Sequence, residues 1–243
     1  MALRSTISAF LVLVLGIFVA AQESPKVEVI VGRMMAVRQV NKAKVRGYTV
    51  KRDYQLLDKQ EQPKAQVIAT ITYHPPDDKQ YNIESSSGGI GGKVLRDILQ
   101  KETETGKDVQ RKELSPENYD FQLVGQEAMD GRKCYVLSIN PKRDEKDMIR
   151  GKIWVDAENY NIHRIEGKTV KSPSWWIRDL YVLMTFASVD GMWLHTFTHA
   201  VADVRFKGKY VMESRDVEYG PTISNASTRR KNPGILAGAA INP

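Results

Sequence analysis

The segment Tyr119–Lys142, YDFQLVGQEAMDGRKCYVLSINPK, gives the clearest indication of the fold. Its two halves are rich in β-branched and aromatic residues, which favour strands, and they meet at Asp130-Gly131. An Asp-Gly pair between two such runs is a strong indication of a β-hairpin with a two-residue turn. The segment therefore predicts two antiparallel strands joined by a tight turn.

The same succession of strand and turn continues to Gly220. Five further β-rich runs follow the first hairpin, and they meet at turn signals around Ala157–Tyr160, Asp190-Gly191 and Lys207-Gly208. Regular spacing of short strands and turns is typical of sheets built from consecutive hairpins. Together with the first hairpin, these runs predict seven consecutive antiparallel strands.

Three more strands are predicted upstream, in VRGYTVKRDYQLLD, KAQVIATITYH and KQYNIESSS. They are separated by KQEQP and PPDD, and Pro75-Pro76 marks a turn because proline cannot donate a ladder hydrogen bond. The complete pattern is about ten strands interrupted by one helix. We predict an α+β, mostly β fold: a large curved antiparallel sheet, or unclosed β-barrel, covered by helices.

The interruption is the glycine-rich stretch Ser85–Glu102, SSSGGIGGKVLRDILQKE. A phosphate-binding P-loop would need glycine at Ser87 and a hydroxyl residue at Val94, so this motif is absent. An anion held by backbone amides at the helix start is the alternative. We interpret the stretch as a hinge followed by the lid helix Gly92–Glu102. The predicted hinge residues are Gly88, Gly89, Gly91 and Gly92. The apolar stripe of the helix comprises Val94, Leu95, Ile98 and Leu99.

The chain ends are interpreted separately from the sheet. Residues 1–21 have the charged, apolar and small-residue regions of a secretory signal peptide, and an uncleaved membrane anchor is the alternative. Apolar residues at three- and four-residue steps from Val27 predict an amphipathic helix, with a strand at Val27–Val31 as the rival. We predict one domain over residues 22–220 and a disordered tail over 221–243.

Aromatic and sulfur-containing residues concentrate in the second group of strands, and they include Trp175, Trp176 and Met192. In a closed structure they would be ordinary core, whereas on the concave side of an unclosed sheet they would line an apolar cavity. Methionine suits such a cavity because its side chain adapts to shape. The candidate cavity residues are Leu95, Ile98, Leu99, Trp154, Met184, Phe186 and Trp193.

No motif for catalysis is found, and we predict a protein that is not an enzyme and has no cofactor or metal. The sequence contains no G-x-S-x-G nucleophile motif. His195 and His199 lie in a strand pattern, where residues four apart are about 13 Å from each other and cannot share one metal ion. Cys134 is the only cysteine, which excludes an intramolecular disulfide and suggests a buried thiol.

The net charge is +7 at pH 7, with 27% charged residues. Such a balance outside the cytoplasm suits anionic lipid surfaces or acidic partners, and the alternative is that it serves solubility alone. No nucleic-acid recognition motif or dense basic stripe occurs, so nucleic acid is not an expected partner.

Three stretches carry a resemblance to a known superfamily. They are YDFQLVGQEAMDGRKCYVLSINPKR, GKIWVDAENYNIHRIEGKTVKSPSWWI and DGMWLHTFTHAVADVRFKGKYVMESRDVEYG. They resemble the bacterial periplasmic LolA/LolB/RseB-like superfamily, and more closely its outer membrane lipoprotein-sorting-type proteins. The resemblance spans Val27 to Gly220. It implies an incomplete β-barrel closed by helices, whose apolar interior holds the acyl chains of lipoproteins or another lipid.

The resemblance also sets the functional expectations. No lipobox cysteine follows the signal peptide, which favours a soluble carrier or sensor in the periplasm. The expected function is a lipid- or lipoprotein-binding carrier in outer membrane sorting. The alternative is an RseB-like envelope-stress sensor or structural module without bound lipid. The expected partners are a lipid or acylated lipoprotein and an inner- or outer-membrane protein.

Overall fold

The computed structural model describes residues 25–76, 78–103, 113–146 and 148–221. The predicted signal peptide and the predicted tail, apart from Pro221, lie outside these residues. Within them the chain forms two helices and ten strands. The helices are α1 (Val27–Lys44) and α2 (Gly89–Thr103). The strands are β1 (Tyr48–Leu57), β2 (Pro63–His74), β3 (Asp78–Ser87), β4 (Tyr119–Met129), β5 (Arg132–Pro141), β6 (Ile149–Asp156), β7 (Ile162–Thr169), β8 (Ile177–Val189), β9 (Met192–Val204) and β10 (Gly208–Pro221).

All ten strands form one antiparallel sheet in the order β3-β2-β1-β10-β9-β8-β7-β6-β5-β4. Strands β3 and β4 follow each other along the chain but lie at opposite edges, and α2 lies in the connection between them. The pairing of β1 with β10 joins the two groups of strands. The predicted unclosed sheet with covering helices is therefore confirmed.

Two of the predicted hairpin turns have the backbone geometry that their sequence indicates. Asp130 and Gly131 have φ angles of +49° and +76°, and Asp190 and Gly191 have +49° and +78°. A type I′ turn needs positive φ at both central residues, and its twist matches that of the flanking strands. These turns fix the register of β4 with β5 and of β8 with β9.

Helix α1 covers one part of the sheet. Its buried residues Ile30, Val31 and Met34 pack in a cluster with Leu137 and Ile153 and other apolar side chains of β4–β7. Apolar residues at i, i+1 and i+4 lie on one face of a helix, which explains this packing. The helix prediction is confirmed, and the rival strand at Val27–Val31 is wrong.

Helix α2 covers a second part of the sheet, formed by β1 and β2. Leu95 and Leu99, each fully buried, pack against Val50, Tyr54 and Val67. We call the sheet face that packs against α1 and α2 the inner face. The predicted stripe is confirmed in that Leu95 and Leu99 face the sheet, while Ile98 is half-buried. The helix begins at Gly89 rather than at the predicted Gly92.

Two glycines of the motif GKIWVD and EGK allow a close approach of β6 and β7. Gly151 and Gly167 are directly paired across these strands. A Cβ atom on Gly151 would lie 1.9 Å from the carbonyl oxygen of Glu166. Only glycine fits at this position, because the clash would be with backbone rather than with a mobile side chain.

Candidate functional site

The inner face of β8 and β9 lies between the two helix-covered clusters. Met184 is paired with Ile165, which packs against the α1 cluster, so Met184 faces inward. Val182 shares this face because strand side chains alternate, and it is paired with Ala200. Val182 and Met184 are half-buried and belong to neither cluster. We call Val182, Met184 and Ala200 the central strip.

A pocket of about 300 Å³ lies beside the C-terminal half of α1. Its apolar lining is Val45, Leu114, Ile162, Ile165, Phe186 and Trp193. Its polar lining is Arg38, Gln39, Asn41, Lys42, Glu113 and Asn161. Phe186 lies two residues beyond Met184 on the same strand, and alternation places both on the inner face. The pocket is therefore next to the central strip.

Hydrogen bonds hold the lining of the pocket in place. The indole Nε1–H of Trp193 donates to the carbonyl oxygen of Ile162 at 2.9 Å. Arg38 donates to the carbonyl oxygen of Leu114 at 2.7 Å, and its guanidinium lies 3.5 Å from the carboxylate of Glu113. The side chain of Trp193 is thus held in place. Because its single hydrogen-bond donor is satisfied, its ring can contact an apolar ligand without leaving a polar group unpaired.

The pocket combines apolar surface with positive charge at its rim. Burial lowers the pKa of Arg38, and the charge of Glu113 opposes that shift; an arginine remains charged at any physiological pH. Lys42 is exposed and forms no ion pair within the described part of the chain. An apolar cavity with convergent polar groups at its edge suits an amphiphile with an anionic head.

A buried polar cluster lies under α2, on the inner face of β1 and β10. Arg52, which is 5% exposed, donates from Nε and Nη2 to the two carboxylate oxygens of Asp216, the latter at 3.1 Å. Its Nη1 donates to Glu102, which also accepts from the hydroxyl of Tyr54 at 2.8 Å. The hydroxyl of Tyr219 donates to Asp216. Bidentate hydrogen bonding between an arginine and a carboxylate is strong and directional.

Burial and the charges within the cluster shift the pKa values of its members. Burial alone would lower the pKa of Arg52, but the hydrogen bond to Asp216 and the charges of both carboxylates outweigh it and raise that pKa. Burial and the neighbouring Glu102 raise the pKa of Tyr54, which keeps its hydroxyl protonated as a donor. Burial, followed by the positive charge of Arg52, lowers the pKa of His195 on β9. Arg52 therefore provides a positive charge that interacts with both carboxylates.

The cluster also connects α2 to the sheet. Glu102 lies in the last turn of α2, whereas Arg52 and Asp216 lie on β1 and β10. Sequence reasoning missed this site. The available indication was that Arg52 alternates with Val50 and Tyr54, which places a charged residue on an otherwise apolar strand face.

The structure distributes the predicted cavity residues over several places. Phe186 and Trp193 line the pocket, and Met184 lies in the central strip. Leu95 and Leu99 lie under α2, with Ile98 at its half-buried edge.

Trp154 lies on the opposite face of the sheet. It packs with Cys134 and Val136, and its indole donates to Glu127 at 2.8 Å. The guanidinium of Arg164 lies 4.8 Å from the ring centroid. Trp154 is therefore separated from Phe186 and Trp193 by the sheet itself, and it does not belong to the pocket.

The four predicted hinge glycines lie at the start of α2, and all of them except Gly89 pack tightly against neighbouring atoms. Three of them lie within the helix, and Gly88 precedes it with a φ of +87°. A Cβ on Gly88 would lie 2.3 Å from the carbonyl oxygen of Lys64, and one on Gly91 would lie 2.8 Å from Cβ of Ala65. These contacts anchor the N-terminal end of α2 to β2.

The two strand histidines do not converge. A register shift in β9 pairs Phe186 with His195 but Thr185 with Phe197. His195 is 2.8 Å from the hydroxyl of Thr198, whereas His199 lies 3.0 Å from Glu213. In the part of the chain that the structure describes, no group of three histidine, cysteine or acidic residues could hold a metal ion. Nor does any helix there have the length and apolar character needed to span a bilayer.

Comparison with known proteins gives one family match. A family model described as "Uncharacterized protein" matches residues 95–228, which is more than half of the 243 residues. No curated protein matches the chain.

Solved structures of similar fold include a DUF1329 family protein from Desulfovibrio piger. It has 13% identity and a TM-score of 0.43, and the match covers 83% of this chain and 95% of that one. A LolA superfamily protein from Nitrosomonas europaea has 13% identity and a TM-score of 0.36, covering 82% and 94%.

Proposed function

The chain belongs to the family whose model matches residues 95–228. We propose that it binds an anionic amphiphile in the periplasm. The amphiphile is a lipid or the acylated end of a lipoprotein, and the protein acts as a carrier without covalent chemistry. The pocket beside α1 supports this proposal most directly, because it joins an apolar lining to the cationic rim of Arg38 and Lys42.

Binding in this arrangement draws on two forces. The methylene groups of the acyl chain leave water and pack against Phe186, Trp193 and Ile165. Each methylene that is fully buried contributes about 0.8 kcal/mol of favourable binding free energy. The anionic head lies at the rim and pairs with Lys42, which is exposed and forms no ion pair with the described residues. The adjacent central strip extends the apolar surface beyond the volume of the pocket, so a chain longer than the pocket remains in contact with the sheet.

Helix α2 acts as a lid in this proposal. Its N-terminal end is anchored to β2 by the contacts of Gly88 and Gly91, and its C-terminal end is held by the pairing of Glu102 with Arg52. The helix has 15 residues, about 22 Å at 1.5 Å per residue. Release of Glu102 would therefore move the C-terminal end farther than the anchored end, uncovering the inner face of β1 and β10.

Tryptophan quenching locates the ligand. A fatty acid brominated along its tail should quench the fluorescence of the delipidated protein through Trp193. Trp193→Phe should remove most of that quenching, while Trp154→Phe, on the other face of the sheet, should retain it. Quenching that persists in Trp193→Phe and disappears in Trp154→Phe would place the ligand elsewhere.

Affinity gives an independent measure of the same site. Phe186→Asp should weaken the binding of a fluorescent fatty acid by roughly tenfold or more, because a charge replaces apolar contact surface. Val124→Asp is the matched control, since Val124 is 54% exposed on β4. Circular dichroism checks that both variants fold. A wild-type protein that binds no fatty acid at micromolar concentration would contradict the proposed function.

A further inference from the structure

Three large aromatic side chains project into solvent at one end of the sheet. Trp175 is 79% exposed, Trp176 is 37% exposed and Phe206 is 98% exposed. Scattered exposed apolar residues are normal on protein surfaces, but adjacent ones need an explanation. None of the three belongs to a core cluster, so packing within the protein does not explain them.

The aromatic residues lie on two neighbouring loops. The backbone N–H of Arg205 donates to the carbonyl oxygen of Trp176 at 2.8 Å, and Ile177 is paired with Val204. The connection before β8 and the turn between β9 and β10 are therefore held side by side. Trp175, Trp176 and Phe206 therefore lie on adjoining loops at the same end of the sheet.

Phe206 also has an unusual backbone conformation. Its φ is +65°, in the left-handed region that glycine and asparagine adopt far more readily than phenylalanine. Phenylalanine thus adopts an unfavourable turn conformation while burying almost none of its ring. Neither local propensity nor packing accounts for this residue, which favours a role in contacting something outside the chain.

Positive charge surrounds these aromatic residues. We call the following set the tip patch: Trp175, Trp176, Phe206, Lys171, Arg205, Lys207 and Lys209. Its four cations are exposed and form no ion pair within the described residues. Lys59 lies beside the same turn, since a Cβ on Gly208 would be 3.4 Å from its Nζ. Asp203, three residues before Phe206, is paired with Arg178 at 3.5 Å.

The turns at the other end of the strands have the opposite character. Asp190 lies at the tip of the β8–β9 turn, Asp130 at the β4–β5 turn and Glu158 between β6 and β7. Asp58 and Glu61 of the β1–β2 turn lie at the same end as the tip patch, so the contrast is between the patch itself and these three turn tips rather than between whole ends of the sheet. The local concentration of cations would still orient the patch towards a negatively charged surface.

We propose that the tip patch docks the protein on an anionic lipid bilayer. Tryptophan and phenylalanine rings enter the headgroup region, and lysine and arginine pair with anionic headgroups. A protein partner is a poorer fit. Lysine is depleted at the centre of protein–protein interfaces, whereas the tip patch contains four cations, three of which are lysines. Docking at this end depends on the patch alone and does not require a ligand in the pocket.

Vesicle co-sedimentation tests this proposal. The wild-type protein should bind vesicles of phosphatidylcholine with 30% phosphatidylglycerol, and binding should fall as salt rises. Arg205→Gln/Lys207→Gln should reduce the partition coefficient about 25-fold, at roughly fivefold per charge. Lys133→Gln/Lys152→Gln is the matched control, because it removes two exposed charges distant from the patch and should leave binding near that of the wild type.

The aromatic contribution is tested with Trp175→Ser/Phe206→Asn. Asparagine tolerates the left-handed conformation, so this variant should fold, and its vesicle binding should fall roughly tenfold or more. Tyr81→Ser, which replaces a 40% exposed aromatic residue on edge strand β3, should bind as the wild type does.

Two results would overturn the docking proposal: wild-type protein that does not bind anionic vesicles, or patch variants that bind them unchanged. The first would leave an acidic protein as the partner of this surface. Phe186→Asp separates the two proposals, since it should weaken fatty-acid binding and retain vesicle binding. Failure of the pocket and failure of the tip patch therefore give different results.

Discussion

Substitution of Arg52 should show how strongly the buried cluster depends on one positive charge. The side chain of Asp216 is only 2% exposed, and that of Arg52 is 6% exposed. Arg52→Met would leave the Asp216 carboxylate buried without its ionic partner. Removing one member of a buried pair costs about 3–5 kcal/mol, because the remaining charge is neither solvated nor compensated. We expect a loss of unfolding free energy in that range.

The two carboxylates should contribute unequally. Glu102 is 32% exposed, so water already solvates part of its charge. Glu102→Gln should therefore cost only about 1 kcal/mol, and the amide can still accept the hydrogen bond from Tyr54. Because Glu102 ties the end of α2 to the sheet, this variant should also increase hydrogen exchange of the backbone amides around Leu99.

A double variant separates the charge effect from lost packing. Arg52→Met/Asp216→Asn removes both charges, while the asparagine can still accept from the hydroxyl of Tyr219. This variant should be more stable than Arg52→Met alone, although it carries one more substitution. Urea unfolding followed by circular dichroism and tryptophan fluorescence gives the free energies by linear extrapolation. A cost below about 1 kcal/mol for Arg52→Met, or a double variant no more stable than the single one, would refute the reasoning.

Two further perturbations concern close packing and pH. Gly151→Ala should strongly destabilise the sheet because its Cβ would lie 1.9 Å from the carbonyl oxygen of Glu166, whereas Gly125→Ala meets nothing within 4 Å. Thermal unfolding of both variants checks this, and an unchanged Tm in Gly151→Ala would contradict it. The lowered pKa of His195 means that the unfolded chain binds the proton more readily, so stability is full above the ordinary pKa of 6.5 and is lost as pH falls below it. His195→Gln should reduce this loss in urea unfolding between about pH 7 and pH 5, and an unaltered pH dependence would show that His195 does not titrate in this way.

Much of the fold is predictable because it depends on neighbouring residues. The turn at Asp130-Gly131 follows from the positive φ angles that these residues accept, and each strand follows from side-chain type over a few positions. The α2 stripe is predictable for the same reason, since Leu95 and Leu99 are one helical turn apart. Helix α2 begins at Gly89, three residues before the predicted start at Gly92, and this glycine-rich first turn packs on β2.

The candidate site is less predictable because it depends on register and on distant residues. Trp154 and Trp193 are both tryptophans in predicted strands. Strand alternation nevertheless places Trp154 on the sheet face opposite α1, whereas Trp193 lines the pocket. A single register shift in β9 separates the environments of His195 and His199. The sequence indicates that apolar residues concentrate in these strands. Which of them line the pocket depends on the sheet face to which each side chain points, and that is set by the strand register.

The sequence by itself determined the ten strands, the two helices and the order in which they occur, because turn chemistry and side-chain periodicity act over a few residues. The tertiary structure alone decided that Arg52 meets Asp216, 164 positions away, and that the loops of Trp176 and Arg205 lie side by side. These juxtapositions arise when β1 pairs with β10 and β8 with β9. Pairing between distant strands is set by the burial of the whole inner face, and no short stretch of sequence contains that information.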